Sequence, residues 1–447
     1  MNNIATIQIY HSHQWHDAAT IRSDTTVDGH NGGCYFEYVM AYALEYINPR
    51  YPLQGSIACT LPVTFDLLDL PHWPAVILDI LPSGAGRAHW LKHLKLTDGD
   101  NADWPLLLHG AGSPPGSLRI KEAHAIRGSN QILPTADGAL VRAQEHPGFE
   151  LDDILHKQEH FIEYAYQHGA ISTGASDVQG VAPKFLMCQD HAGRWHAEGV
   201  LPDEKIAGHY LVKFPRGKTA SDRQLLKNEA AYMRVATQLG LKTHASKTPI
   251  TWYPNALIIP RFDRKTIPNG QVERYAMESL CALAGIAKFG IEYGGQPSHN
   301  QLVDALVRYA SQPTQEVIEY IKRDVVNIAL GNTDNHARNT SILRNPSNTI
   351  TLAPMYDFAP MYIDPEGVPR SCRWANTQEH AGQPDWRAVI EHLPLMVNKP
   401  NVRQALTNFI SHLKDLPNIM QQAQVDHDII ERRSPSIQSQ INALGQL

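Results

Sequence analysis

The chain is poor in cysteine, and the few it has do not form a pattern. Five cysteines in 447 residues are an odd number, they are widely separated, and no C-x-x-C pair occurs. This spacing excludes a disulfide framework and a zinc knuckle, and it favours reduced, mostly buried thiols. The five positions are Cys34, Cys59, Cys188, Cys281 and Cys372.

Long apolar runs and blocks of one charge are absent too. No stretch approaches the roughly eighteen apolar residues of a membrane span, and the first residues lack the basic and apolar regions of an export signal. We therefore expect a cytoplasmic protein without a membrane partner. The net charge is −6, the pI is about 6.4, and no Lys/Arg block occurs. A protein that binds DNA by itself usually has a basic face, so DNA contact is expected only through a partner.

Several familiar catalytic signatures are also missing. The sequence contains no H-E-x-x-H, no G-x-S-x-G and no Walker A motif. These absences count against a zinc peptidase, a serine hydrolase of that type and a P-loop nucleotide hydrolase. His11, His13 and His16 suggest a metal site, but they fall on a predicted hairpin with no carboxylate or cysteine set beside them. We discount that site.

The composition that remains is that of a globular protein, 43% hydrophobic and 19% charged, with room for two or three domains. Residues 1–150 are rich in glycine and proline turns. Their apolar patterns predict strands at 4–10 and 58–63, a helix at 36–47, and a turn at 81–87. A mixed α/β N-terminal subdomain is expected.

The pattern changes after residue 151. Strands are predicted at 181–187, 209–214 and 256–262, with an amphipathic helix at 222–239 that ends before Gly240. Residues 151–268 thus show the element order of a kinase small lobe that binds ATP. Residues 269–447 are dominated by predicted helices, the clearest at 314–330. The predicted fold class is α+β, two-lobed and protein-kinase-like, with an all-α C-terminal catalytic lobe.

The 331–339 loop, which reads G-N-T-D-N-H-A-R-N, has the strongest chemical signal. Asp334 is followed after four residues by Asn339, and a predicted hairpin (340–343 and 349–352) returns the chain to Asp357. Protein kinases use this order for a catalytic base and two Mg²⁺ ligands. We assign Asp334 as the base and Asn339 and Asp357 as the metal ligands. Each residue alone is a weak signal, and it is their order that favours a kinase.

Upstream residues fit a nucleotide site. Lys213 lies within an apolar strand, where it needs a counter-charge or an anionic ligand, and Glu229 on the next helix could provide it. Phe262 lies where a kinase hinge meets adenine, and its other interpretation is an ordinary core aromatic. The 174–184 loop takes the place of a glycine-rich loop. The nucleotide-binding residues assigned here are Lys213, Glu229, Phe262, Gly180, Lys184 and His336, the last mainly as a residue that orders its loop.

Together these motifs resemble the HipA family, the kinase toxins of bacterial toxin–antitoxin modules. The resemblance covers most of the chain and rests on the segments 81–87 (L-P-S-G-A-G-R), 179–184 (Q-G-V-A-P-K), 211–215 (L-V-K-F-P), 228–229 (N-E), 261–264 (R-F-D-R), 331–339 and 352–357 (L-A-P-M-Y-D). It implies transfer of the γ-phosphate of Mg-ATP to a serine of a cellular protein, with aminoacyl-tRNA synthetases among the family targets. It also implies a small helix-turn-helix antitoxin of the HipB type as partner.

The sequence departs from the family in the 174–184 loop, where the family carries an autophosphorylated serine. Asp177 occupies that register, and Ser176 lies one residue earlier. Either Ser176 takes the phosphate in a shifted loop, or autophosphorylation is lost and Asp177 leaves a fixed negative charge there. A catalytically silent kinase-fold subunit that binds the antitoxin is the alternative function. Transfer of AMP, or transfer to a small molecule, is a third.

Overall fold

The computed structural model describes residues 3–25, 27–126, 132–142, 145–157, 159–167, 183–244, 249–267, 270–288, 295–375 and 377–447. The chain divides into two compact units, each built from several segments. The first unit comprises Met1–Arg216, Asn255–Glu278 and Arg344–Asn348, and the second comprises Gly217–Pro254, Ser279–Leu343 and Thr349–Leu447. The sequence-based subdivision at residues 150 and 268 stays a prediction.

The strands of the described residues are, in chain order, β1 (Ile4–His11), β2 (Gln14–Ser23), β3 (Cys34–Tyr38), β4 (Leu68–Leu70), β5 (Leu118–Ile120), β6 (Ile132–Pro134), β7 (Leu140–Arg142), β8 (Lys184–Asp190), β9 (Trp195–Ala197), β10 (Ile206–Lys213), β11 (Thr251–Tyr253), β12 (Ala256–Pro260), β13 (Arg264–Thr266), β14 (Val272–Arg274), β15 (Ala276–Ser279), β16 (Ser341–Arg344), β17 (Ile350–Leu352), β18 (Glu379–His380) and β19 (Gln383–Pro384).

The helices are α1 (Met40–Tyr46), α2 (Ala75–Ile80), α3 (Gly84–Leu94), α4 (Asp103–Gly110), α5 (Lys121–Ile126), α6 (Leu151–Leu155), α7 (Glu159–Gln167), α8 (Ala220–Gln238), α9 (Leu280–Leu283), α10 (His299–Tyr309), α11 (Pro313–Leu330), α12 (Trp386–Glu391), α13 (Lys399–Lys414), α14 (Leu416–Gln422) and α15 (His427–Leu444). Among the described residues, none of these helices has both the length and the apolar composition that a membrane span requires.

Antiparallel sheets organise the first unit. One has the order β4-β3-β2-β1-β5, and its β1–β2 hairpin turns at Ser12 and His13, which have φ of 49° and 62°. The other contains β12-β10-β8-β9, so that β10 is an interior strand. Lys213, the last residue of β10, lies opposite Lys184 on one side and Leu257 on the other. The predicted strands at 4–10, 181–187, 209–214 and 256–262 are all present, with ends shifted by a few residues.

Helices dominate the second unit, and their ends follow from local sequence. The helix α8 begins with a capping box, in which the Thr219 side chain accepts from the Asp222 amide and Asp222 accepts from the Thr219 amide. It ends before Gly240, whose φ of +72° suits glycine. Proline at the first position of α11 and left-handed Gly331 after its last position define that helix. The predicted helices at 222–239 and 314–330 are therefore confirmed.

Four predictions for local structure are wrong. Residues 36–47 contain the end of β3 and the short α1 rather than one helix, because Phe36 and Tyr38 alternate inward with the sheet. Residues 58–63 form only an isolated bridge between Ala58 and Leu61 instead of a strand. The predicted turn at 81–87 already contains the start of α3, and the C-terminal part is not all helical, since it includes the small strands β16 to β19.

All five cysteines are free and buried, as the scattered spacing predicted. Burial raises the pKa of Cys34 to about 12. A thiol with so high a pKa stays protonated and unreactive near neutral pH. These side chains therefore act as small core residues.

Candidate active site

The helix α11 brings the chain to the 331–339 loop. Its last residues, Ala329 and Leu330, are fully buried. Gly331 adopts φ +71°, and the amide of Asn332 donates to the Asn327 carbonyl at 2.9 Å, which closes the helix end. The loop therefore starts from a fixed point inside the second unit.

The sequence-predicted base, the two predicted metal ligands and one predicted nucleotide residue, His336, line one pocket of the second unit. Asp334, His336, Asn339 and Asp357 all contribute to its wall. The other lining residues are His299, Leu302, Tyr320, Arg323, Asp324, Asn327, Asn332, Asn335, Ala337, Thr340, Met355 and Tyr356. Residues separated by more than twenty positions thus meet, as the hairpin argument predicted.

Hydrogen bonds inside the loop orient its side chains. Asn339 donates from Nδ2 to the Asp334 carbonyl at 2.7 Å, which leaves its Oδ1 as the atom that can bind a cation. The Arg338 amide donates to His336 Nδ1 at 3.3 Å, so a neutral His336 carries its proton on Nε2. That nitrogen lies 3.6 Å from Asp334 Oδ1. His336 thus takes part in contacts within the loop, and its assignment to the nucleotide site stays a prediction.

Asp357 reaches the pocket through the β16–β17 hairpin. Tyr356, its neighbour, donates from its hydroxyl to the Arg338 carbonyl at 2.9 Å and lies 2.6 Å from Ser341 Oγ. Asp357 itself has φ of 50°, in the left-handed region that residues other than glycine rarely adopt. Backbone outliers of this kind concentrate at functional sites. Phe358 follows it and packs, fully buried, against Tyr232 of α8 with ring centroids 5.1 Å apart.

The oxygen atoms of this pocket fit a hard cation. Mg²⁺ prefers carboxylate and amide oxygens, and Asp357 and Asn339 provide one of each. Asn332 is only 5% exposed, and its Oδ1 has no hydrogen-bond partner among the described residues. A buried oxygen without a partner is costly unless a ligand or water satisfies it. The donor set therefore suits Mg²⁺ with bound water.

Sequence reasoning missed the segment that supports the loop, residues 370–374. The Asn335 side chain donates to the Cys372 carbonyl at 3.3 Å and accepts from the Ser371 amide at 3.2 Å. Arg370, at one end of the segment, forms ion pairs with Asp324 at 2.9 Å and Glu379 at 2.6 Å. The segment is thereby fixed on one side and holds the loop on the other.

Asp324 anchors that network from the middle of α11. Burial raises the pKa of its carboxyl, but Arg370 and His299 more than offset this, so the pKa lies below its usual range. Trp374 also donates to Asp324 at 2.8 Å. Burial lowers the pKa of His299, while the nearby charge of Asp324 raises it in part. The sequence feature that could have indicated this network is the adjacent Arg323 and Asp324 inside an otherwise apolar helical stripe.

Four of the predicted nucleotide residues are not among the described residues that line this pocket. Lys213 (3% exposed), half-buried Lys184 and half-buried Phe262 belong to the first unit. Glu229, 7% exposed, belongs to α8 of the second unit. The Lys213–Glu229 pair and the contact of Phe262 with adenine therefore stay predictions. Gly180, Ser176 and Asp177 lie outside the described residues.

The R-F-D-R segment is a buried ion network of the first unit. Arg261 and Arg264 pair with Asp263 at 2.6 and 2.9 Å, and Asp263 also accepts from the Gly116 amide at 2.7 Å. Burial raises the pKa of Asp263, but the two guanidinium groups outweigh it and the pKa is lowered. This network fixes the backbone on both sides of Phe262.

One group of the described residues has the spacing of a metal site, namely His30, Asp100 and Asp103 in the first unit. Asp103 is already engaged, since His30 Nδ1 lies 2.6 Å from one oxygen and Arg87 Nη1 lies 2.6 Å from the other. Arg87 closes the 81–87 segment and also binds Asp98. The group is an ion network that fixes a turn. His11, His13 and His16 form no such group within the described residues.

A family model matches the part of the chain that contains this pocket. The family model described as the HipA-like C-terminal domain matches residues 176–416, more than half of the chain. The chain belongs to the HipA-like family. The matched range includes the 331–339 loop and Asp357, and it ends before α15.

Relatives and solved structures extend this assignment. The chain is 26% identical over 219 residues to Y4mE of Sinorhizobium fredii. The matched region is 48% of the chain and 50% of Y4mE. It is 27% identical over 174 residues to Y4dM of the same species. This match is 35% of the chain and 38% of Y4dM. Both names assign the proteins provisionally to the kinases. The chain spans half or less of the length of these curated relatives.

A solved structure shows the fold. It is the HipA of a Shewanella oneidensis MR-1 toxin–antitoxin system, in complex with HipB and operator DNA. The TM-score is 0.65 at 18% identity, and the match covers 99% of the chain and 97% of the HipA chain. The protein-kinase-like α+β fold and the HipA resemblance predicted from the sequence are thus confirmed.

Proposed function

We propose that this HipA-like protein is a toxin-type kinase that transfers the γ-phosphate of ATP to a serine or threonine hydroxyl of a cellular protein. One observation carries the proposal: Asp334, Asn339 and Asp357, in the order that kinases use, line a single pocket. The ordered loop, the left-handed Asp357 and the oxygen-rich wall support it. Lys213 is proposed to bind the phosphates.

Each pocket residue has a role that its contacts allow. Asp334 accepts the proton of the attacking hydroxyl, and His336 Nε2 lies 3.6 Å from its Oδ1. The hydroxyl oxygen bonds to the γ-phosphorus as the bond from that phosphorus to the ADP oxygen breaks. Asn339 and Asp357 would hold Mg²⁺, which neutralises the phosphate charge when it is bound. Glu229 is proposed to orient Lys213.

The partner proposal rests on the structural relative. That HipA is complexed with HipB and operator DNA. We propose a HipB-like helix-turn-helix antitoxin for this chain, with DNA contact through the antitoxin. The net charge of −6 agrees with indirect DNA contact, since the chain itself offers no excess of basic residues.

The test is a comparison of the wild type with Asp334→Asn in Mg-ATP, with intact-mass detection of modified protein. We expect the variant to lose transfer by about a hundredfold or more, because the base is gone, while ATP still raises its melting temperature. The mass gained also separates phosphoryl from AMP transfer. Asp304→Asn, an exposed carboxylate on α10, is the matched control.

Full transfer by Asp334→Asn would contradict the role of the base. Absence of any nucleotide-dependent stabilisation in the wild type would instead support the silent, antitoxin-binding subunit. The autophosphorylation hypothesis has its own control. A phosphate on Ser176 that is lost in Ser176→Ala would show that Asp177 has not removed self-silencing.

A further inference from the structure

The C-terminal helix α15, which lies beyond the matched family range, contacts the carbonyl end of α11. Arg433 donates from Nε to the Ala329 carbonyl at 3.0 Å and from Nη2 to the Ile328 carbonyl at 2.8 Å. The last carbonyls of a helix have no partner within the helix. Arg433 thus satisfies two successive carbonyls, one turn before the 331–339 loop.

The neighbouring carbonyls at this end also have partners. Tyr232 of α8 donates to the Leu330 carbonyl at 2.9 Å, and the amide of Tyr362 donates to the Gly331 carbonyl at 3.1 Å. The Arg433 guanidinium lies over the Tyr362 ring, 4.9 Å from its centroid. A Cβ at position 331 would lie 2.7 Å from Tyr362 Cδ1 and 3.0 Å from Arg433 Cζ. The packing is therefore tight, and the loop starts from a point fixed on three sides.

The N-terminal end of α15 holds α8. Asp426, its N-cap, accepts from Asn228 Nδ2 at 2.9 Å, and the Asp426 amide donates to Asn228 Oδ1 at 3.0 Å. Lys227 forms an ion pair with the same carboxylate. Asn228 is fully buried and directly precedes Glu229. One helix thus connects the two elements that carry Glu229 and Asp334.

We propose that α15 is the positioning element of the active site and that Arg433 is its principal positioning residue. Asp426 and Arg433 are seven residues apart, about two helical turns, so both fall on one face of α15. With these two attachments, α15 keeps α8 and the end of α11 in a fixed relation. Loss of Arg433 removes one of the three contacts that hold the end of α11, and the position of Asp334 becomes less defined. The inference rests on the proposed kinase function only for its effect on catalysis.

The experiment compares Arg433→Met with Arg432→Met, its exposed neighbour on the same helix. Methionine keeps an unbranched apolar stem but removes the donors. We expect amide hydrogen exchange at 331–339 to become about tenfold faster in Arg433→Met, since two charge-assisted hydrogen bonds are lost. We also expect kcat to fall by tenfold to about a hundredfold with the KM for ATP unchanged. Arg433→Lys, which can reach one carbonyl, should restore part of the protection.

The two readouts separate this inference from the function on which it builds. Unchanged loop exchange in Arg433→Met overturns the inference, as does an unchanged kcat in a protein that transfers phosphate. If the wild type transfers no phosphate at all, the proposed function fails, and the exchange data alone decide whether α15 positions the loop. Equal effects of Arg432→Met and Arg433→Met would also overturn the inference.

Discussion

Two motifs that match the same family differ in what surrounds them. In the first unit, Arg261, Asp263 and Arg264 are buried and paired with one another, and Asp263 also accepts from a backbone amide. In the second unit, Asp334 and Asp357 line a pocket. The first motif thus maintains the architecture. The second has the features expected of a site of chemistry.

The two motifs differ in what their charged groups interact with: one another in the first motif, and the space of a pocket in the second. A buried charge is tolerated only with its counter-charges and hydrogen bonds in place, so every member of the first network supports the fold. A pocket carboxylate keeps its charge for a ligand, and it contributes little to stability. Motif conservation within a family would look the same in both cases. Stability measurements separate them.

The largest effect is expected from Asp263→Ala. Removal of this carboxylate leaves Arg261 and Arg264 buried with Glu198 as their remaining close counter-charge. We expect the first unit to lose about 3–5 kcal/mol of unfolding free energy. Urea unfolding measures it, with the exposed Glu37→Ala as a control that should change by less than about 0.5 kcal/mol. If Asp263→Ala unfolded at the same urea concentration as the wild type, the architectural role of Asp263 would be contradicted.

A smaller loss is expected for Asn335→Ala, which removes both hydrogen bonds to the 370–374 segment. Asn335 is 8% exposed, and the Ser371 amide and Cys372 carbonyl lose a partner. We expect a loss of about 1–3 kcal/mol and weaker phosphate transfer at unchanged ATP affinity. Thermal unfolding and initial rates measure these, with exposed Asn408→Ala on α13 as the control. Full activity would show that the segment does not position the loop.

The first unit should also lose stability in mild acid through His11. Its ring stacks on His16 at 4.2 Å and lies among Tyr42, Tyr46 and the charge of Glu45, and burial followed by His16 lowers its pKa from 6.5 to about 4. Between pH 6.5 and 4 the unfolded chain therefore binds a proton that the folded chain does not. Stability is full above pH 6.5 and falls toward pH 4. Because water reaches this partly buried ring, we expect a loss of only about 1 kcal/mol.

The measurement compares urea midpoints at pH 7 and pH 4.5. His11→Phe should reduce the pH dependence, because phenylalanine binds no proton. His13→Asn is the control, since His13 is exposed and asparagine tolerates its φ of 62°. It should keep the wild-type dependence. An equal dependence in His11→Phe would contradict the assignment.

The smallest change in stability is expected for Asp357→Gly. Glycine adopts the φ of 50° without strain, so the unfolding free energy should stay within about 1 kcal/mol of the wild type. Asp357→Ala keeps the strain and should be the less stable of the two. Calorimetry measures both. A loss as large as that of Asp263→Ala would place Asp357 among the architectural charges and weaken the comparison.

Local sequence patterns predicted much of the secondary structure of the second unit. The apolar stripe of α11 predicted the helix to within one residue. The short hairpin after Asn339 was visible from its turn residues, and it predicted the return of Asp357 to the loop. Around residues 36–47 the same rules failed, because pairing with a neighbouring strand outweighed helical periodicity.

The sequence alone determined the order of the chemical groups, the main helices and the family, since these depend on residue type and on spacing along the chain. Only the tertiary structure decided that Asn335 binds the 370–374 segment and that Arg433 caps α11. It also decided that Arg261, Asp263 and Arg264 neutralise one another in the core. These contacts join residues far apart in the sequence. The sequence around a single arginine or asparagine does not indicate which residue its side chain will contact. Burial and geometry, which arise only on folding, turn the same charged side chain into a structural ion pair or a pocket residue.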